Sequence, residues 1–414
     1  MPYNSSRNSY HASRSGSGAN RGRSYGGRNR YRSQNNRNRT MVKGRGQYID
    51  PAKFVRPAKE RVEAEQYIPK HAFADFDVHQ LIKDNLEAKG YVAPSPIQDQ
   101  TIPLGLEGKD VIGLANTGTG KTAAFALPVL HSLMDNPHAK ALIIAPTREL
   151  AQQIEDEFRS IAKGSGLFGM LLIGGTPMGP QLRDLRMKPR VVIGTPGRIK
   201  DHLERGTLHL GTFSMVVLDE VDRMLDMGFI DDMRTILSAL KPQRQSFFFS
   251  ATMDDNVRHL ISTFSQDPVT VSVKTSDTSE NVHQNVIHYS SANDKIEKLH
   301  DALIKDEVEK VIIFDETQRS VERLNQELAN RGFATDAIHG GKTQGQRQRA
   351  LDKFKRSEVD ILVATDVAAR GIDVKDITHV INYSIPQTYQ DYTHRVGRAG
   401  RAGKTGHAYT FVNL

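Results

Sequence analysis

The sequence predicts an α/β protein with two tandem domains, each built on a parallel β-sheet, joined by a short linker and preceded by a disordered basic tail. Three observations lead to this prediction. From about Tyr67 onward, short apolar runs alternate with longer amphipathic stretches, and a polar run interrupts the alternation at Lys274–Asn281. The chain has 414 residues, which is too many for one ordinary hydrophobic core. Apolar strands separated by helices indicate parallel sheets covered on both faces.

The N-terminal part of the chain is strongly basic. Residues 1–49 contain ten Arg, one Lys and no acidic residue, a net charge of +11, whereas the other 365 residues hold 45 basic and 48 acidic side chains. The first 46 residues are mostly Arg, Gly, Ser, Asn and Tyr, too poor in aliphatic residues to fold, and the predicted disordered tail is residues 1–66, which precede the pattern of strands and helices. Arginine and tyrosine pair with phosphates and stack on bases, which favours an RNA-binding tail. A solubilising extension and a transit peptide are the alternatives.

Composition also excludes several classes of protein. The chain has no cysteine, so disulfide frameworks, thiolate zinc sites and cysteine nucleophiles are excluded. No run approaches the ~18 apolar residues of a membrane span, and the N-terminus lacks the apolar core of a secretory signal. We therefore expect neither a membrane nor a secreted protein, and we predict a cytoplasmic monomer.

The elements follow from their hydrophobic patterns, taken in chain order. The predicted strands of the first domain are DVIGLA, ALIIAP, MLLIGG, RVVIGT, MVVLDE and SFFFSAT. Two stretches between them, ELAQQIEDEFRSIAKG and MLDMGFIDDMRTILSAL, are predicted helices. After the polar run the alternation resumes in KVIIFDE, VERLNQELANRG, ATDAIHG, RALDKFKRS, DILVATD, HVINYSI and HAYTFVN. The predicted domains are residues 67–273 and 283–414, with residues 274–282 as the linker.

A phosphate-binding loop is predicted where the strand DVIGLA meets the string ANTGTGKT, Ala115–Thr122. Backbone N–H groups of such a turn bind phosphate oxygens, and the positive end of the following helix adds to the attraction. Lys121 is expected to contact the β- and γ-phosphates, and the hydroxyl of Thr122 to bind Mg²⁺. The alternative is a glycine-rich turn that only caps a helix. The strand before the turn and the helix after it favour the phosphate site.

A phosphate loop of this kind requires an acidic partner, which the string LDEVD supplies at the end of the strand MVVLDE. Asp219 is expected to hold Mg²⁺ directly or through water. Glu220 is expected to orient and deprotonate the attacking water. Two adjacent carboxylates in a solvated turn are the alternative.

From Phe73 to Leu414 the chain resembles the DEAD-box RNA helicases of superfamily 2. The resemblance rests on motifs in the family order: GYVAPSPIQ (Gly90–Gln98), ANTGTGKT, PTREL, TPGR, SAT, ATDVAARGID and HRVGRAGR. It implies two RecA-like domains and an RNA-stimulated ATPase that uses ATP and Mg²⁺. It also implies local, largely sequence-independent unwinding of RNA duplexes and remodelling of RNA–protein complexes.

The resemblance implies a complete ATP site. Gln98 would recognise the adenine edge, and Phe73 would pack against the base. Asp373, with Gly371 nearby, would meet the ribose. Arg398 and Arg401 would contact the γ-phosphate from the second domain and stabilise the charge that develops there. The remaining phosphate-loop residues implied in ATP binding are Ala115, Asn116, Thr117, Gly118, Thr119 and Gly120.

The resemblance also implies RNA contacts on both domains and a set of coupling residues. Phosphate contacts carry no sequence information, so the expected RNA binding is largely sequence-independent. The implied RNA contacts are Pro146, Thr147, Arg148, Gly174, Gly175, Thr195, Pro196, Gly197, Arg198, Gln344, Arg347 and Thr365. The implied coupling residues are Asp222, Ser250, Ala251, Thr252, His394 and Arg395.

The acidic motif departs from the family pattern in having Val221 where alanine is usual. Both carboxylates of the phosphate site are retained, so we expect activity. Two other functions stay open at this point: a DNA helicase or translocase on the same scaffold, and a non-enzymatic RNA chaperone that acts through the basic tail. The adenine-binding region, PTREL and HRVGRAGR favour the RNA helicase.

Overall fold

The structure is a computed structural model. The residues it describes are 50–57, 67–116, 118–273, 281–305, 307–369, 374, 376–400 and 405–414. Residues 1–49 and 58–66 of the predicted tail and residues 274–280 of the predicted linker lie outside the described residues.

The first domain is built on a parallel sheet, which is seven-stranded over the described residues. Its strands in chain order are β1 (Val111–Leu114), β2 (Ala141–Ile144), β3 (Gly169–Leu172), β4 (Val191–Gly194), β5 (Met215–Leu218), β6 (Gln245–Ser250) and β7 (Val269–Ser272). The order across the sheet is β3-β4-β2-β5-β6-β1-β7. The strands β1, β5 and β6 are therefore neighbours, so the loops that follow them meet at one edge of the sheet.

Helices lie between and beside these strands. They are α1 (Gln80–Ala88), α2 (Pro96–Leu106), α3 (Lys121–Asp135), α4 (Arg148–Ile161), α5 (Met178–Arg186), α6 (Pro196–Glu204), α7 (Val221–Asp226), α8 (Ile230–Ser238) and α9 (Asp255–Phe264). Both faces of the sheet are covered, because alternate residues of β2 belong to different apolar clusters: Ile143 to one, and Leu142 and Ile144 to the other. Such burial on both faces explains why the strand is apolar throughout.

The second domain has a parallel sheet of its own. Its strands are β8 (Val282–Tyr289), β9 (Val311–Phe314), β10 (Thr335–Ile338), β11 (Ile361–Ala364), β12 (His379–Asn382) and β13 (Gly406–Asn413), in the order β10-β11-β9-β12-β13-β8. The helices are α10 (Ala292–Leu303), α11 (Gln318–Asn330), α12 (Gln344–Lys355), α13 (Asp366–Ala369) and α14 (Tyr389–Val396). The two parallel-sheet domains confirm the predicted fold class.

Threonine side chains cap the first turn of several helices. Thr147 accepts a hydrogen bond from the backbone N–H of Leu150, and Thr317 and Thr388 accept equivalent bonds at α11 and α14. A side-chain oxygen at this position satisfies one of the unpaired N–H groups of the first turn. Each of these helices therefore starts at a defined residue, and α4 and α11 do so just after a strand end.

One predicted helix is wrong. The stretch MLDMGFIDDMRTILSAL was predicted as a single helix, but the structure has two helices, α7 and α8, with a break at Met227–Phe229. Gly228 in the break has φ of +80°, a left-handed conformation that glycine adopts without steric cost and that ends a helix. The hydrophobic pattern continues across the break because both helices bury a face against the same sheet.

The disordered-tail prediction is wrong for residues 50–57. Pro51–Phe54 forms a 3₁₀ helix that begins at Asp50, whose carboxylate accepts a hydrogen bond from the N–H of Ala52 at 3.0 Å. The side chain of Phe54 is fully buried among apolar residues of the second domain. The composition argument failed here because a single large apolar side chain is enough to anchor a short segment when another domain supplies the rest of the apolar surface.

Candidate active site

The phosphate loop lies between β1 and α3 and is shaped by two left-handed glycines. Gly118 has φ of +86° and Gly120 has φ of +90°. A Cβ at Gly120 would also collide with the side-chain amide of Gln98, so the turn requires glycine there. The hydroxyl of Thr119 donates to the carbonyl of Asn116 at 2.8 Å and tightens the loop. Thr117 lies outside the described residues.

Lys121 begins α3 and points into the loop. Its side chain is 6% exposed, and its ammonium donates to the carbonyl of Ala115 at 3.1 Å. The same ammonium lies 3.8 Å from a carboxylate oxygen of Asp219, which follows β5. The structure therefore brings the predicted phosphate-binding lysine and the predicted metal-binding acid together, although they lie far apart in sequence.

Asp219 is a buried carboxylate, and the charge of Lys121 only partly offsets the effect of its burial. Burial raises its pKa to about 6, although the neighbouring Lys121 acts in the opposite direction. Thr122, one residue after the lysine, is the second oxygen ligand predicted for Mg²⁺. Among the described residues, no group of three or more His, Asp or Glu side chains is placed to hold a metal on its own. The carboxylate of Asp219 and the hydroxyl of Thr122 are oxygen donors, which is the ligand type that Mg²⁺ takes.

Glu220 is held in a strained and specific position. Its φ of +55° is in the left-handed region, which a side-chain-bearing residue rarely adopts. Its carboxylate accepts a charged hydrogen bond from Arg223 at 3.0 Å, and both side chains are buried. Sequence reasoning missed Arg223. The signal that could have found it is the spacing, because residues three apart at the start of a helix lie on the same face.

Asp222 links the acidic motif to the end of β6. Its carboxylate accepts hydrogen bonds from the N–H groups of Ala251 and Thr252 at 3.1 and 3.0 Å and from the hydroxyl of Thr252 at 3.1 Å. The hydroxyl of Ser250 accepts from the N–H of Asp222 at 3.3 Å. The structure therefore brings together all four of the first-domain residues that were predicted to couple hydrolysis to RNA.

Gln98 bridges the first turn of α2 and the phosphate loop. Its side-chain N–H donates to the carbonyl of Gly120 at 3.0 Å, and its side-chain oxygen accepts from the N–H of Ser95 at 2.8 Å. The amide therefore lies beside the loop but already has protein partners at both ends. Phe73 is buried and packs edge-on against Tyr91, with ring centroids 5.3 Å apart.

The helix α14 brings His394 of the second domain close to the acidic motif. Burial lowers the pKa of His394 to about 4, and the charges that act on it are those of Arg223, Asp222, Arg398 and Glu220. His394 is therefore neutral at physiological pH. Arg398 is buried as well. Gly371, Asp373 and Arg401 lie outside the described residues.

Arg395 stabilises the second domain from within. Its guanidinium pairs with both carboxylate oxygens of Asp366 at 2.6 Å and also donates to the side chain of Asn382 and the carbonyl of Ser384. It also lies over the ring of Phe314, 5.0 Å from its centroid. These contacts fix the C-terminal half of α14 relative to β9 and β12.

A cavity of about 390 Å³ contains most of the predicted RNA contacts. Its first-domain lining includes Pro146, Thr147, Arg148, Gly174, Thr195, Gly197 and Arg198, and its second-domain lining includes Gly340, Arg347 and Val367. The predicted contacts Gly175, Pro196, Gln344 and Thr365 do not line it. Gly175 instead leaves room for Arg148, because its φ is +74° and a Cβ there would collide with the arginine's guanidinium.

Two of the predicted RNA contacts meet a residue of the first domain that sequence reasoning missed. The side chain of Glu149 is almost completely buried, and its carboxylate lies 2.8 Å from the guanidinium of Arg347. The side-chain amide of Gln344 donates to the same carboxylate at 3.2 Å. No sequence signal was available for this partner, because the burial of Glu149 depends on elements far apart in the chain.

The phosphate loop, the paired acids of the neighbouring strand and the basic groups of a second α/β domain define a two-domain, P-loop-type nucleoside triphosphatase. Residues 95–260 match the family model of the DEAD/DEAH box helicases, and residues 294–403 match that of the helicase conserved C-terminal domain. The chain belongs to the DEAD-box helicases, and it is an ATP-hydrolysing RNA helicase.

Curated relatives agree with this family. The chain is 44% identical over 341 residues to the ATP-dependent RNA helicase CshA of Listeria monocytogenes, a match that covers 82% of this chain and 66% of the relative. It is 43% identical over 342 residues to the DEAD-box ATP-dependent RNA helicase CshA of Bacillus subtilis, covering 82% and 69%. The chain therefore spans about two thirds of the length of these relatives.

Solved structures show the same two-domain fold. The structure of S. cerevisiae Dbp5 bound to RNA and ADP BeF3 matches with a TM-score of 0.72 and 28% identity, over 83% of this chain and 90% of that one. The structure of Mss116p bound to ssRNA and AMP-PNP matches with a TM-score of 0.73 and 31% identity, over 81% and 73%. In the part of this chain that the structure describes, no helix has both the length and the apolar character needed to cross a membrane.

Proposed function

We propose that this helicase couples ATP binding and hydrolysis to local, largely sequence-independent unwinding of RNA duplexes and to remodelling of RNA–protein complexes. One observation supports the proposal above all others. The charges of Asp222 and Glu220 in the first domain act on His394 of the second domain, and the cavity with the predicted RNA contacts is also lined by both domains. ATP hydrolysis and RNA binding would therefore both require the two domains to lie against each other.

For the chemical step, we assign Lys121 to the β- and γ-phosphates and Glu220 to the attacking water. Bound Mg²⁺, beside Asp219 and Thr122, would neutralise charge on the phosphates. Arg223 orients the carboxylate of Glu220 through a charge-assisted hydrogen bond. Arg398 and Arg401 would stabilise the charge on the transferring phosphoryl group from the second domain.

To explain selectivity for ATP, we assign adenine recognition to Gln98. The buried ring of Phe73 would pack against the base. An amide can donate to N7 of adenine and accept from its N6 amine. The contact between Gln98 and the carbonyl of Gly120 would transmit base binding to the phosphate loop. The backbone of Ala115–Gly120 would bind phosphates, and Gly371 and Asp373 would meet the ribose.

For RNA, we assign the cavity between the domains to the sugar–phosphate backbone. Arg148 and Arg198 supply positive charge, and the strand-end loops supply backbone N–H groups. The pairing of Gln344 and Arg347 with Glu149 supports a second role for them, which is to hold the domains together around RNA. Asp222, with Ser250–Thr252, would link the catalytic acids Asp219 and Glu220 to the RNA-binding cavity. His394 and Arg395 would make the same link from the second domain.

The basic tail is proposed to add affinity for RNA without sequence preference. Its arginines would neutralise phosphates, and its tyrosines would stack on exposed bases. We further propose that the enzyme acts as a monomer in the cytoplasm, because one chain contributes both sides of the cleft and because RNA and ATP are the proposed substrates.

The proposal is tested by steady-state ATP turnover without nucleic acid, with single-stranded RNA and with DNA of the same sequence, together with unwinding of a short RNA duplex. We expect RNA, and not DNA, to stimulate turnover, and we expect unwinding to require ATP. Equal stimulation by DNA would favour the DNA helicase or translocase. Strand annealing without any ATP turnover would favour the RNA chaperone.

A further inference from the structure

The segment Asp50–Pro57, here called the arm, precedes the first domain in sequence but packs on the second. Asp50 and Pro51 start its 3₁₀ helix, because the carboxylate caps the turn and proline has a backbone angle suited to a first helical position. The helix presents Phe54 to the second domain, where its ring is fully buried. The next residue, Val55, is 54% exposed.

The arm makes its aromatic contact with α14. The rings of Phe54 and Tyr392 have centroids 4.7 Å apart and are tilted by 51°. Next to them, the ammonium of Lys53 lies 5.9 Å from the ring centroid of Tyr389, one turn earlier in the same helix. Two consecutive turns of α14 are therefore in contact with the arm.

The arm also pairs with the edge strand of the second sheet. Arg56 and Gln284 of β8 form an antiparallel bridge, in which the N–H of Arg56 donates at 3.0 Å and its carbonyl accepts at 2.8 Å. The side-chain oxygen of Gln284 accepts a hydrogen bond from the hydroxyl of Tyr392 at 2.8 Å. The arm, β8 and α14 thus form a closed set of contacts in which each element touches the other two.

The face of α14 opposite the arm borders the acidic motif. Successive residues of an α-helix are rotated by about 100°, so Tyr392 and His394 point to opposite sides. His394 is the residue on which the charges of Asp222, Arg223 and Glu220 act. The helix has only eight residues, and a helix this short is held in place by packing and not by its own stability. Whatever fixes Tyr392 therefore also fixes the side chains that face the acids.

We propose that the arm is a positioning element for ATP hydrolysis: the contact between Phe54 and Tyr392, together with the internal contacts of Arg395, sets the position of α14, and with it the position of Arg398, two residues after the helix, relative to the γ-phosphate. This inference rests on the proposed role of Arg398. The arm acts on the reaction only through α14.

The test uses the full-length chain with Phe54→Ala, compared with the matched control Val55→Ala on the exposed side of the arm. We expect kcat for RNA-stimulated ATP turnover to fall between about 10- and 100-fold in Phe54→Ala, since a small misplacement of a catalytic group has an effect of this size. We expect the Kd for a fluorescent ATP analogue to stay within about twofold of the parental value, because the phosphate loop lies in the other domain. Phe54→Leu, which restores apolar volume, should recover most of the rate.

A double-mutant comparison separates positioning from general destabilisation. In an Arg398→Ala background, Phe54→Ala should lower kcat by less than about twofold, because the group that the arm positions is already gone. A parental kcat in Phe54→Ala, or a full further loss in the Arg398→Ala background, would overturn the inference. A parental kcat in Arg398→Ala alone would instead contradict the proposed function.

A second variant covers the case in which Phe54→Ala does not fold. Arg56→Pro removes the N–H that pairs with Gln284, which loosens the attachment of the arm and therefore the contact of Phe54 with Tyr392. If Phe54→Ala lacks a cooperative melting transition, the same kcat and Kd measurements on Arg56→Pro decide the question. A parental kcat in that variant would then overturn the inference.

Discussion

The buried carboxylate of Glu149, in the first domain, lies 2.8 Å from the guanidinium of Arg347, in the second. Burial lowers the pKa of Arg347, while Glu149 opposes that effect. A buried charge that loses its partner is strongly destabilising. Here the partners belong to different domains, so the loss is expected to weaken the closed arrangement of the domains more than the folding of either one.

Arg347→Ala should therefore weaken RNA binding at least tenfold in the presence of a non-hydrolysable ATP analogue, which corresponds to about 1.4 kcal/mol of binding free energy. It should also lower RNA-stimulated kcat at least tenfold. ATP affinity without RNA should be unchanged. The double variant Glu149→Ala with Arg347→Ala should lose less than the sum of the single losses, since neither charge is left unpaired. Arg349→Ala, an exposed arginine on the same helix, is the matched control. Strictly additive losses would show that the pair acts as two independent RNA contacts.

Glu220→Gln should retain ATP and RNA binding and lose turnover. The amide keeps the shape of the side chain but cannot accept a proton from water, and general bases contribute about 10²–10⁴ in rate. The variant should accumulate as a long-lived complex with RNA and ATP, detected by native gel or fluorescence anisotropy. Glu107→Gln, an exposed carboxylate of the same domain, is the control. Near-parental hydrolysis by Glu220→Gln would assign the base elsewhere.

Gln98→Ala should lower ATP affinity and narrow the preference for ATP over GTP, as measured by competition binding. The substitution removes the amide that is proposed to recognise adenine, whereas the phosphate loop still binds the groups common to all nucleotides. The bond from Gln98 to the carbonyl of Gly120 is lost as well, so some loss of GTP affinity is also expected. Gln100→Ala, exposed on the same helix, is the control. An unchanged preference would show that another group recognises the base.

Stability of the second domain should fall as the pH falls from about 6.5 to 4. The ring of His379 stacks against His407 and Tyr409 of the neighbouring strand β13, with centroids 4.8 and 5.8 Å away. Burial lowers its pKa to about 4, and the nearby charges of His407 and Lys305 add to the effect. The unfolded state, with a pKa of about 6.5, binds more protons in this window, so the free energy of unfolding falls there and is fully restored above it.

His379→Phe keeps a stacked ring and removes the titration, so the melting temperature of the second domain should depend less on pH. The difference between the parental melting temperatures at pH 7 and pH 5 should shrink in this variant, by an amount that corresponds to at most about 2 kcal/mol. His288→Gln, an exposed histidine on β8, is the control. An equal pH dependence in parent and His379→Phe would assign the effect to other groups.

Deletion of residues 1–46 should weaken RNA affinity with little loss of kcat at saturating RNA. When Z phosphates are neutralised, the logarithm of affinity falls against the logarithm of salt concentration with a slope of about −0.7Z for single strands. The truncated chain should show a shallower slope and a stronger dependence of binding on ATP. A tail of the same length with its arginines replaced by glutamine should behave like the deletion. Equal slopes in all forms would leave the tail as a solubilising or targeting extension.

The sequence alone determined the features of this protein that depend on neighbouring residues. The string ANTGTGKT predicts its loop because a left-handed turn before a helix requires glycines at fixed offsets, and Gly118 and Gly120 are found in that conformation. The alternation of apolar strands and helices predicts two parallel-sheet domains, because a strand covered on both faces has no polar side. The order of the motifs was enough to identify the helicase family.

Only the tertiary structure decided which distant residues meet. Glu149 and Gln344 are 195 positions apart in the chain, and no local pattern links a helix-start acid to a glutamine and an arginine of another domain. The arm was predicted as tail because its own composition is weakly apolar, whereas the burial of Phe54 depends on Tyr392 and the edge of β8. Such contacts depend on how domains and segments pack, since the free energy of burying a side chain comes from the surface that covers it and not from its neighbours in sequence.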